Sequence, residues 1–202
     1  KKIAYLSESG YPFARLEIAK VKVDQKRVEL IYKIEQGPII YFDSVQMSND
    51  VPLRDEALYN LLGFYPGQLY NERLFQNIEN QISNLQFIDL LRPVDVGFYS
   101  DKAKVFLSLE TLEVNHFDAM IGLVPVATGA SNRLNGYADL HLPNLFKSAV
   151  MLDLGWKAFG PQSQSIAIAT VIPALGRTGV GVALTGDILR QDSSFVNTAY
   201  GL

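Results

Sequence analysis

Strict alternation of apolar with other residues in the second half of the chain limits its fold more than any other feature. In "VMLDLGWKAF", residues 150–159, every second residue is apolar: Val150, Leu152, Leu154, Trp156 and Ala158. A period of two puts these side chains on one face of a β-strand. The segment is therefore predicted to be a strand whose apolar face lies against either a soluble protein core or lipid.

The same alternation recurs between residues 114 and 202 in segments that are separated by turn signals. The charged residues within these predicted strands fall on the face opposite the aliphatic and aromatic residues: Asp118, Asp139, Asp153, Lys157 and Asp187. Segments of about 10 residues have the length that a tilted membrane-spanning strand needs. Aromatic residues near the predicted strand ends, Phe146, Trp156 and Phe159, are typical of the girdles of membrane barrels.

A soluble β-sandwich alternates in the same way, so the pattern alone leaves that fold open. The uniformly apolar face over consecutive strands favours a membrane β-barrel. A barrel needs at least about 8 strands, whereas only five or six fit into residues 114–202. We therefore expect an incomplete barrel sheet that belongs to a longer protein.

The composition argues against several function classes. The net charge of −3 disfavours broad binding of nucleic-acid phosphates. The sequence has no cysteine, which excludes disulfides and thiolate sites, and its two histidines are too few for a histidine-rich metal site. Asp139 and His141 share a face, but without a serine elbow they indicate a lumen-lining histidine and not a catalytic pair. No catalytic residue, metal ligand or cofactor is predicted, so an enzyme is the least favoured class.

Targeting signals are not evident in the sequence. It has no run of 18 apolar residues, so no transmembrane helix is predicted. Its first residues, "KKIAYLSESG", lack the apolar stretch of a signal peptide. The sequence therefore fits either a cytosolic protein or a chain that starts inside a longer one.

Residues 1–113 follow a different pattern, in which helices and strands are mixed. Apolar residues at helical spacing predict helices over 53–62 and 72–85. Sliding the sequence by 77 residues matches four positions of the first copy with Arg92, Asp101, Val105 and Leu107 of the second. Both copies read as strand, turn, strand. The order strand, helix, helix, strand, strand is thus complete over about 38–113, and only its end is present over 1–37.

This order, followed by barrel strands, resembles the outer-membrane assembly factors of the BamA type, whose periplasmic units are POTRA domains. "YKIEQGPIIYFDSVQMSND" is similar to a junction between two POTRA units, and "YPGQLYNERLFQNIENQISNLQFI" to the start of the second POTRA helix. "GYADLHLPNLFKSAVMLDLGWKAF" resembles the second and third barrel strands with their hairpin, although Lys147 stands where the family has glycine. The implied fold class is α+β POTRA repeats followed by an all-β antiparallel transmembrane β-barrel portion. The implied domains are the C-terminal part of a POTRA unit (1–37), a complete POTRA unit (38–113) and the first five to six barrel strands (114–202).

The resemblance also implies two sites for extended client strands. The first is the first barrel strand, here called the gate strand, and it comprises His116, Phe117, Asp118, Ala119, Met120, Ile121, Gly122 and Leu123. The second is the edge of the POTRA sheet and comprises Val94, Asp95, Val96, Gly97 and Phe98. Pro93 fits an edge, and Pro125 indicates either a deliberately weak gate strand or simply the end of that strand.

The implied location is the outer membrane of a Gram-negative bacterium, with the POTRA domains in the periplasm. The implied partners are unfolded outer-membrane proteins, accessory periplasmic or lipoprotein subunits and outer-membrane lipid. The favoured function is a factor that assembles and inserts outer-membrane proteins. Two alternatives stay open at this point: a two-partner-type secretion pore of the same architecture and, less favoured, a soluble β-sandwich binding protein.

Overall fold

The computed structural model describes residues 2–24, 27–124, 133–159, 163–176, 179–191 and 195–201. Within these residues the helices are α1 (Lys2–Ser7), α2 (Asp55–Leu62) and α3 (Glu72–Ser83). The first strands are β1 (Arg15–Asp24), β2 (Arg27–Glu35), β3 (Tyr41–Met47), β4 (Ile88–Leu90), β5 (Asp95–Tyr99), β6 (Lys102–Leu107) and β7 (Leu109–Thr111). The later strands are β8 (His116–Val124), β9 (Arg133–Leu145), β10 (Val150–Phe159), β11 (Gln164–Ile172), β12 (Val182–Gln191) and β13 (Phe195–Gly201).

The chain divides into two compact units that interleave along the sequence. Unit 1 comprises Lys1–Asp50, Leu62–Ser83 and Leu90–Glu110. Unit 2 comprises Val51–Leu61, Asn84–Asp89 and Thr111–Leu202. These units do not coincide with the ranges 1–37, 38–113 and 114–202, which stay predictions.

A three-stranded sheet in the order β3-β6-β5 organises unit 1. β3 runs parallel to β6, and β5 runs antiparallel to it. The predicted order strand, helix, helix, strand, strand is present, and both predicted helices form. The short strands β4 and β7, which were not predicted, pair in a separate two-stranded sheet.

Helix α3 begins at a side-chain cap. Asn71 Oδ1 accepts hydrogen bonds from the backbone N–H groups of Arg73 (3.0 Å) and Leu74 (3.1 Å), which have no partner within the helix. The spacing of four between Ile78 and Ile82 puts both on one face, and both are fully buried. The apolar stripe predicted for this helix is therefore its packed face.

The hairpin β1–β2 corrects the predicted repeat. Asp24 pairs with Arg27 at its closed end, and Tyr99 pairs with Lys102 at the closed end of β5–β6. The two hairpins thus correspond at a spacing of 75 residues (24 to 99 and 27 to 102), so the predicted spacing of 77 was wrong by two. A shift of two leaves every side chain on the same strand face, which is why the apolar residues still matched.

Aromatic side chains form the centre of unit 1. The rings of Phe42 and Phe64 stack with centroids 3.9 Å apart, and Tyr70 lies 5.0 Å from Phe42. All three residues are at most 1% exposed. Tyr70 also donates a hydrogen bond to Glu72 Oε2 (2.8 Å). Burial and this hydrogen bond raise the pKa of Tyr70, so its hydroxyl stays neutral and satisfied inside the core.

Unit 2 contains an antiparallel sheet of six strands in the order β13-β12-β11-β10-β9-β8. Every strand pairs with its neighbour in sequence, as in consecutive hairpins. Among the described residues β8 and β13 do not pair with each other. The predicted antiparallel sheet of five or six strands is confirmed.

Pairing of the strands aligns side chains into rows that share a face. One row crosses all six strands: Phe117, Leu140, Leu154, Ile168, Gly186 and Tyr200. The next row lies on the opposite face: Asp118, Asp139, Gly155, Ala167, Asp187 and Ala199. We call these the apolar face and the polar face. Among the side chains that the structure describes in this sheet, the only charged one on the apolar face is Arg190, near the end of β12, so the predicted segregation of mid-strand charge holds.

Candidate functional site: two open strand edges

β5 is one of the two edge strands of the three-stranded sheet in unit 1, and among the described residues it pairs with β6. Asp101 O and Leu107 O of the β6 region accept hydrogen bonds from Tyr41 N (2.8 Å) and Ser48 N (2.9 Å) of the β3 region. Odd-numbered residues of β6 therefore direct their backbone groups toward β3, and even-numbered residues direct theirs toward β5.

This alternation decides which backbone groups of β5 are open. Lys102, Lys104 and Phe106 pair with Tyr99, Gly97 and Asp95, so these residues of β5 are bonded to β6. Val96 and Phe98 oppose odd-numbered residues and turn their N–H and C=O groups away from β6. The structure thus makes β5 an edge, as predicted. Three of the five predicted positions, Val94, Val96 and Phe98, belong to the alternate residues whose backbone N–H and C=O groups point away from β6.

The opposite edge of the same sheet, along β3, is occupied by the chain itself. Phe42 N donates to Gln68 O (2.8 Å), Gly67 N donates to Phe42 O (2.7 Å), and Tyr70 N donates to Ile40 O (2.9 Å). The segment before α3 thus satisfies the outer backbone groups at the start of β3. The start of this edge is closed to another strand, whereas no backbone segment of the described residues covers β5 in this way.

A salt bridge fastens the hairpin end of β6 to β3. Lys102 Nζ lies 3.0 Å from Asp43 Oδ1, and Asp43 occupies the register shift between Phe42 and Ser44. Hydrogen bonds from Lys102 and from Ser44 lower the pKa of the half-buried Asp43, which stays ionised. The bridge therefore holds the turn of the β5–β6 hairpin without involving β5.

β8, the predicted gate strand, is one of the two terminal strands of the six-stranded sheet, and among the described residues it pairs with β9. Its apolar side chains are largely exposed: Phe117 69%, Ile121 65% and Leu123 66%. All eight predicted gate residues lie within β8, whereas Pro125 lies outside the described residues.

Like residues face each other across the β8–β9 ladder. His116 pairs with His141, and Asp118 pairs with Asp139. Like charges directly opposite each other destabilise an antiparallel pair. Tyr137 donates a hydrogen bond to Asp118 Oδ2 (2.9 Å), which compensates one of these carboxylates. This part of the ladder is held mainly by backbone hydrogen bonds.

At Gly136 the backbones of β8 and β9 approach each other closely. A Cβ at Gly136 would lie 2.1 Å from Met120 O and 3.0 Å from Ile121 Cα. A Cβ at Gly122, by contrast, would meet only Asn135 O, at an ordinary 3.7 Å. Gly122 was predicted as one of the eight gate residues, whereas Gly136 was not predicted, although a glycine inside a strand is a signal for close backbone approach.

Gly136→Ala is therefore expected to displace β8 from β9. The added methyl group forces the two backbones apart, at a cost of about 1–3 kcal/mol. Amide hydrogen exchange across Met120–Leu123 should become faster. Gly122→Ala is the matched control and should leave exchange in β8 unchanged or slower; equal effects of the two substitutions would contradict the role given to Gly136.

The polar face carries a cluster of titratable residues with no catalytic geometry. His141 Nδ1 is hydrogen-bonded to Asp153 Oδ1, and its Nε2 lies 2.8 Å from Gln86 Oε1. The face also holds a hollow of about 380 Å³ whose floor is made by the small residues Gly155 and Ala167. In the described part of the chain, no three His, Asp or Glu residues are arranged to hold a metal ion. His141 acts here as a connector between β9, β10 and the segment that contains Gln86.

A second connector, Asn144, lies at the β9–β10 turn and was not predicted from the sequence. Its Oδ1 accepts a hydrogen bond from Ala149 N (2.9 Å), which closes the turn. Its Nδ2 donates to Pro52 O (2.6 Å), and Arg54 N donates to Lys147 O (3.0 Å). The residues just before α2 are thus attached to this turn within unit 2. Lys147 has a φ of 58°, a conformation that favours glycine, which accounts for the glycine in the family pattern.

Comparisons with known proteins address the fold. No family model and no curated protein matches the sequence. Among solved structures, BamA from Haemophilus ducreyi lacking POTRA domains 1–3 superimposes with a TM-score of 0.58 at 14% identity, over 98% of this chain and 38% of that one. This chain has the fold of BamA. CdiB from Acinetobacter baumannii is also similar, with a TM-score of 0.50 at 13% identity, over 96% of this chain and 37% of that chain.

The BamA-type fold confirms the resemblance that the sequence motifs indicated, at the level of architecture. The chain spans a little over a third of the length of these two structures. In the part of the chain that the structure describes, no helix is long and apolar enough to cross a membrane. The two predicted sites lie in different compact units, with β5 in unit 1 and β8 in unit 2.

Proposed function

We propose that this chain is part of an outer-membrane protein assembly factor that binds unfolded client β-strands at β5 and at β8. The observation that carries the proposal is the similarity to BamA, together with the outward-facing backbone groups of β5, an edge strand of the three-stranded sheet. An open edge presents a row of backbone N–H and C=O groups to which an extended chain can add as a further strand. No bond is made or broken in this process.

The proposed setting follows from the two faces of the six-stranded sheet. The apolar face contacts outer-membrane lipid, and the polar face lines a hydrated lumen. Residues 1–37 and 38–113 belong to POTRA units in the periplasm of a Gram-negative bacterium. There they bind unfolded outer-membrane proteins and accessory periplasmic or lipoprotein subunits. The similarity to BamA supports this assignment through the fold.

A disulfide between β8 and the last strand of the complete barrel tests whether clients enter at β8. We call the junction of these two strands the seam. One cysteine replaces Ile121, and a second replaces the facing residue in the last strand of the complete barrel. Residues 1–202 contain no cysteine, so Ile121→Cys supplies the one thiol in this part of the protein. Facing residues of antiparallel strands have Cα atoms about 4.5–5.5 Å apart, within the range for a disulfide. Oxidation is expected to abolish client insertion, because the backbone of β8 can no longer accept a strand, and reduction is expected to restore it.

The single variant Ile121→Cys, treated with the same oxidant, is the control and should insert clients normally. Full insertion activity with the seam locked would rule out entry of clients through β8. The double-cysteine variant also tests the alternative function, a two-partner-type secretion pore, which the similarity to CdiB favours. A pore that exports its partner through the lumen should keep secreting with the seam locked.

A soluble β-sandwich binding protein is the remaining alternative. It predicts that the complete protein is released from cells without detergent. Fractionation with outer membranes and extraction only by detergent would exclude it.

A further inference from the structure

The open edge of β5 is partly blocked by two carboxylates. Val94 N donates to Glu79 Oε1 (2.9 Å), and Val96 N donates to Asp95 Oδ1 (2.8 Å). Both donors belong to the outward-facing set, so the carboxylates occupy positions that the carbonyl groups of an added strand would take. Phe98 N–H, the next donor of this set, has no such side-chain partner among the described residues. The edge thus has an open end at Phe98 and a capped end at Val94 and Val96.

The capping carboxylates come from different elements. Glu79 lies on α3 and reaches across 15 residues of sequence to the start of β5, whereas Asp95 is part of β5 itself. Both hydrogen bonds are exposed to solvent, so water can replace the carboxylates at low cost. Charges at a sheet edge are a known means by which proteins prevent unselected strand addition. The caps are therefore removable and not part of the core.

We propose that Glu79 and Asp95 guard the β5 edge and select an extended partner segment that carries basic side chains. This proposal rests on the proposed function, because it assumes that β5 accepts strands. An incoming strand pairs first at Phe98 and then displaces the two carboxylates from Val94 and Val96. The displaced carboxylates lie beside the new strand, where lysine or arginine side chains neutralise them and acidic side chains are repelled.

The surrounding charges are compatible with this selection. Arg92, the nearest cation in sequence, is exposed and lines the same surface hollow as Pro93 and Asp95. Lys102 is engaged by Asp43 and is not directed to the β5 edge. Lys104 of β6 pairs with Gly97 and is separated from an added strand by β5. Glu79 and Asp95 accept hydrogen bonds from the outward N–H groups themselves, so the charge next to an added strand favours a cationic partner. Because both groups are exposed, the preference should weaken as salt is added.

The test uses the complete protein and three short blocked peptides in which valine alternates with lysine, serine or glutamate. Fluorescence anisotropy measures affinity, and amide exchange at Val94, Val96 and Phe98 reports whether the peptide lies on β5. For the unmodified protein, the lysine peptide is expected to bind about fivefold to tenfold more tightly than the glutamate peptide at low salt.

Two double variants separate the charge from the hydrogen bonds. Glu79→Gln with Asp95→Asn keeps an acceptor and removes the charge, so the three peptides should bind equally and the affinity for the serine peptide should not change. Glu79→Ala with Asp95→Ala frees both donors, and the serine peptide should bind about fivefold to tenfold more tightly. Asp50→Ala, which removes an exposed carboxylate elsewhere in unit 1, should change nothing.

The outcomes separate this proposal from the function on which it rests. The proposed selection by Glu79 and Asp95 would be wrong if the unmodified protein bound all three peptides equally and the double alanine variant bound them no more tightly. Protection of the β5 amides in that experiment would still support strand binding at β5. Absence of protection at β5 in every variant would overturn strand binding at this edge as well. Gate function at β8 is measured separately with the locked seam.

Discussion

Replacement of Leu154 by arginine is expected to lower the free energy of unfolding in lipid by about 2–4 kcal/mol, the cost of a cation near the bilayer midplane. Leu154 lies in the middle of β10, in the row of the apolar face between Leu140 and Ile168. It is 37% exposed, so its side chain reaches the surrounding medium and is not enclosed by protein. Denaturant titration of the protein in lipid vesicles measures the cost.

The sequence offers both a probe and a matched control for this experiment. Trp156, the only tryptophan of the chain, lies on the same face two residues away, so its emission reports contact with lipid. Ala167→Arg introduces the same cation on the polar face, one residue from the partner of Leu154. On the polar face, in the row of Asp139 and Asp187, the cation should cost much less. Equal tolerance of the two arginines would contradict contact between the apolar face and lipid.

The features predicted correctly are those that depend on strand and helix periodicity. Alternation assigned Leu154 and Asp153 to opposite faces, and pairing with β9 and β11 keeps them there. Spacing of three and four found the buried stripe of α3. These periods are local properties of the backbone, so no tertiary information is needed to use them.

The repeat spacing shows the limit of periodicity. Matching apolar residues determines which face of a strand they occupy but does not detect a shift of two residues. Repeat spacings of 77 and 75 residues therefore fit the pattern equally well. Only the pairs Asp24–Arg27 and Tyr99–Lys102, which require the folded hairpins, reveal the correct spacing.

The candidate sites were predicted as strand segments, but their critical residues were not. Gly136 is critical because the backbone of Met120 lies close to it, and the N–H of Val94 is capped by Glu79, which lies on a helix. Asn144 attaches a turn to Pro52, which is 92 residues away in sequence. Each is a long-range distance, and a single sequence carries no direct signal for such distances.

The second large effect is expected in the core of unit 1, where Phe42→Ala should cost about 3–5 kcal/mol of local stability. Phe42 is 1% exposed, and its ring stacks on Phe64 and contacts Tyr70. Truncation therefore removes both aromatic contacts and leaves a cavity. Its backbone also anchors Gly67 and Gln68 along the outer edge of β3.

Amide hydrogen exchange in β3 and β6 of the complete protein measures this loss, because exchange reports the stability of one unit without requiring the whole chain to unfold together. Tyr5→Ala is the control within the same unit: Tyr5 is 71% exposed, and its removal should cost less than about 0.5 kcal/mol. Loss of the Phe42 ring should also loosen the segment Gly67–Tyr70 and open the edge of β3 to other strands. The variant is therefore expected to bind extended peptides at β3 as well as β5. Unchanged exchange in β3 would contradict the aromatic cluster as the centre of unit 1.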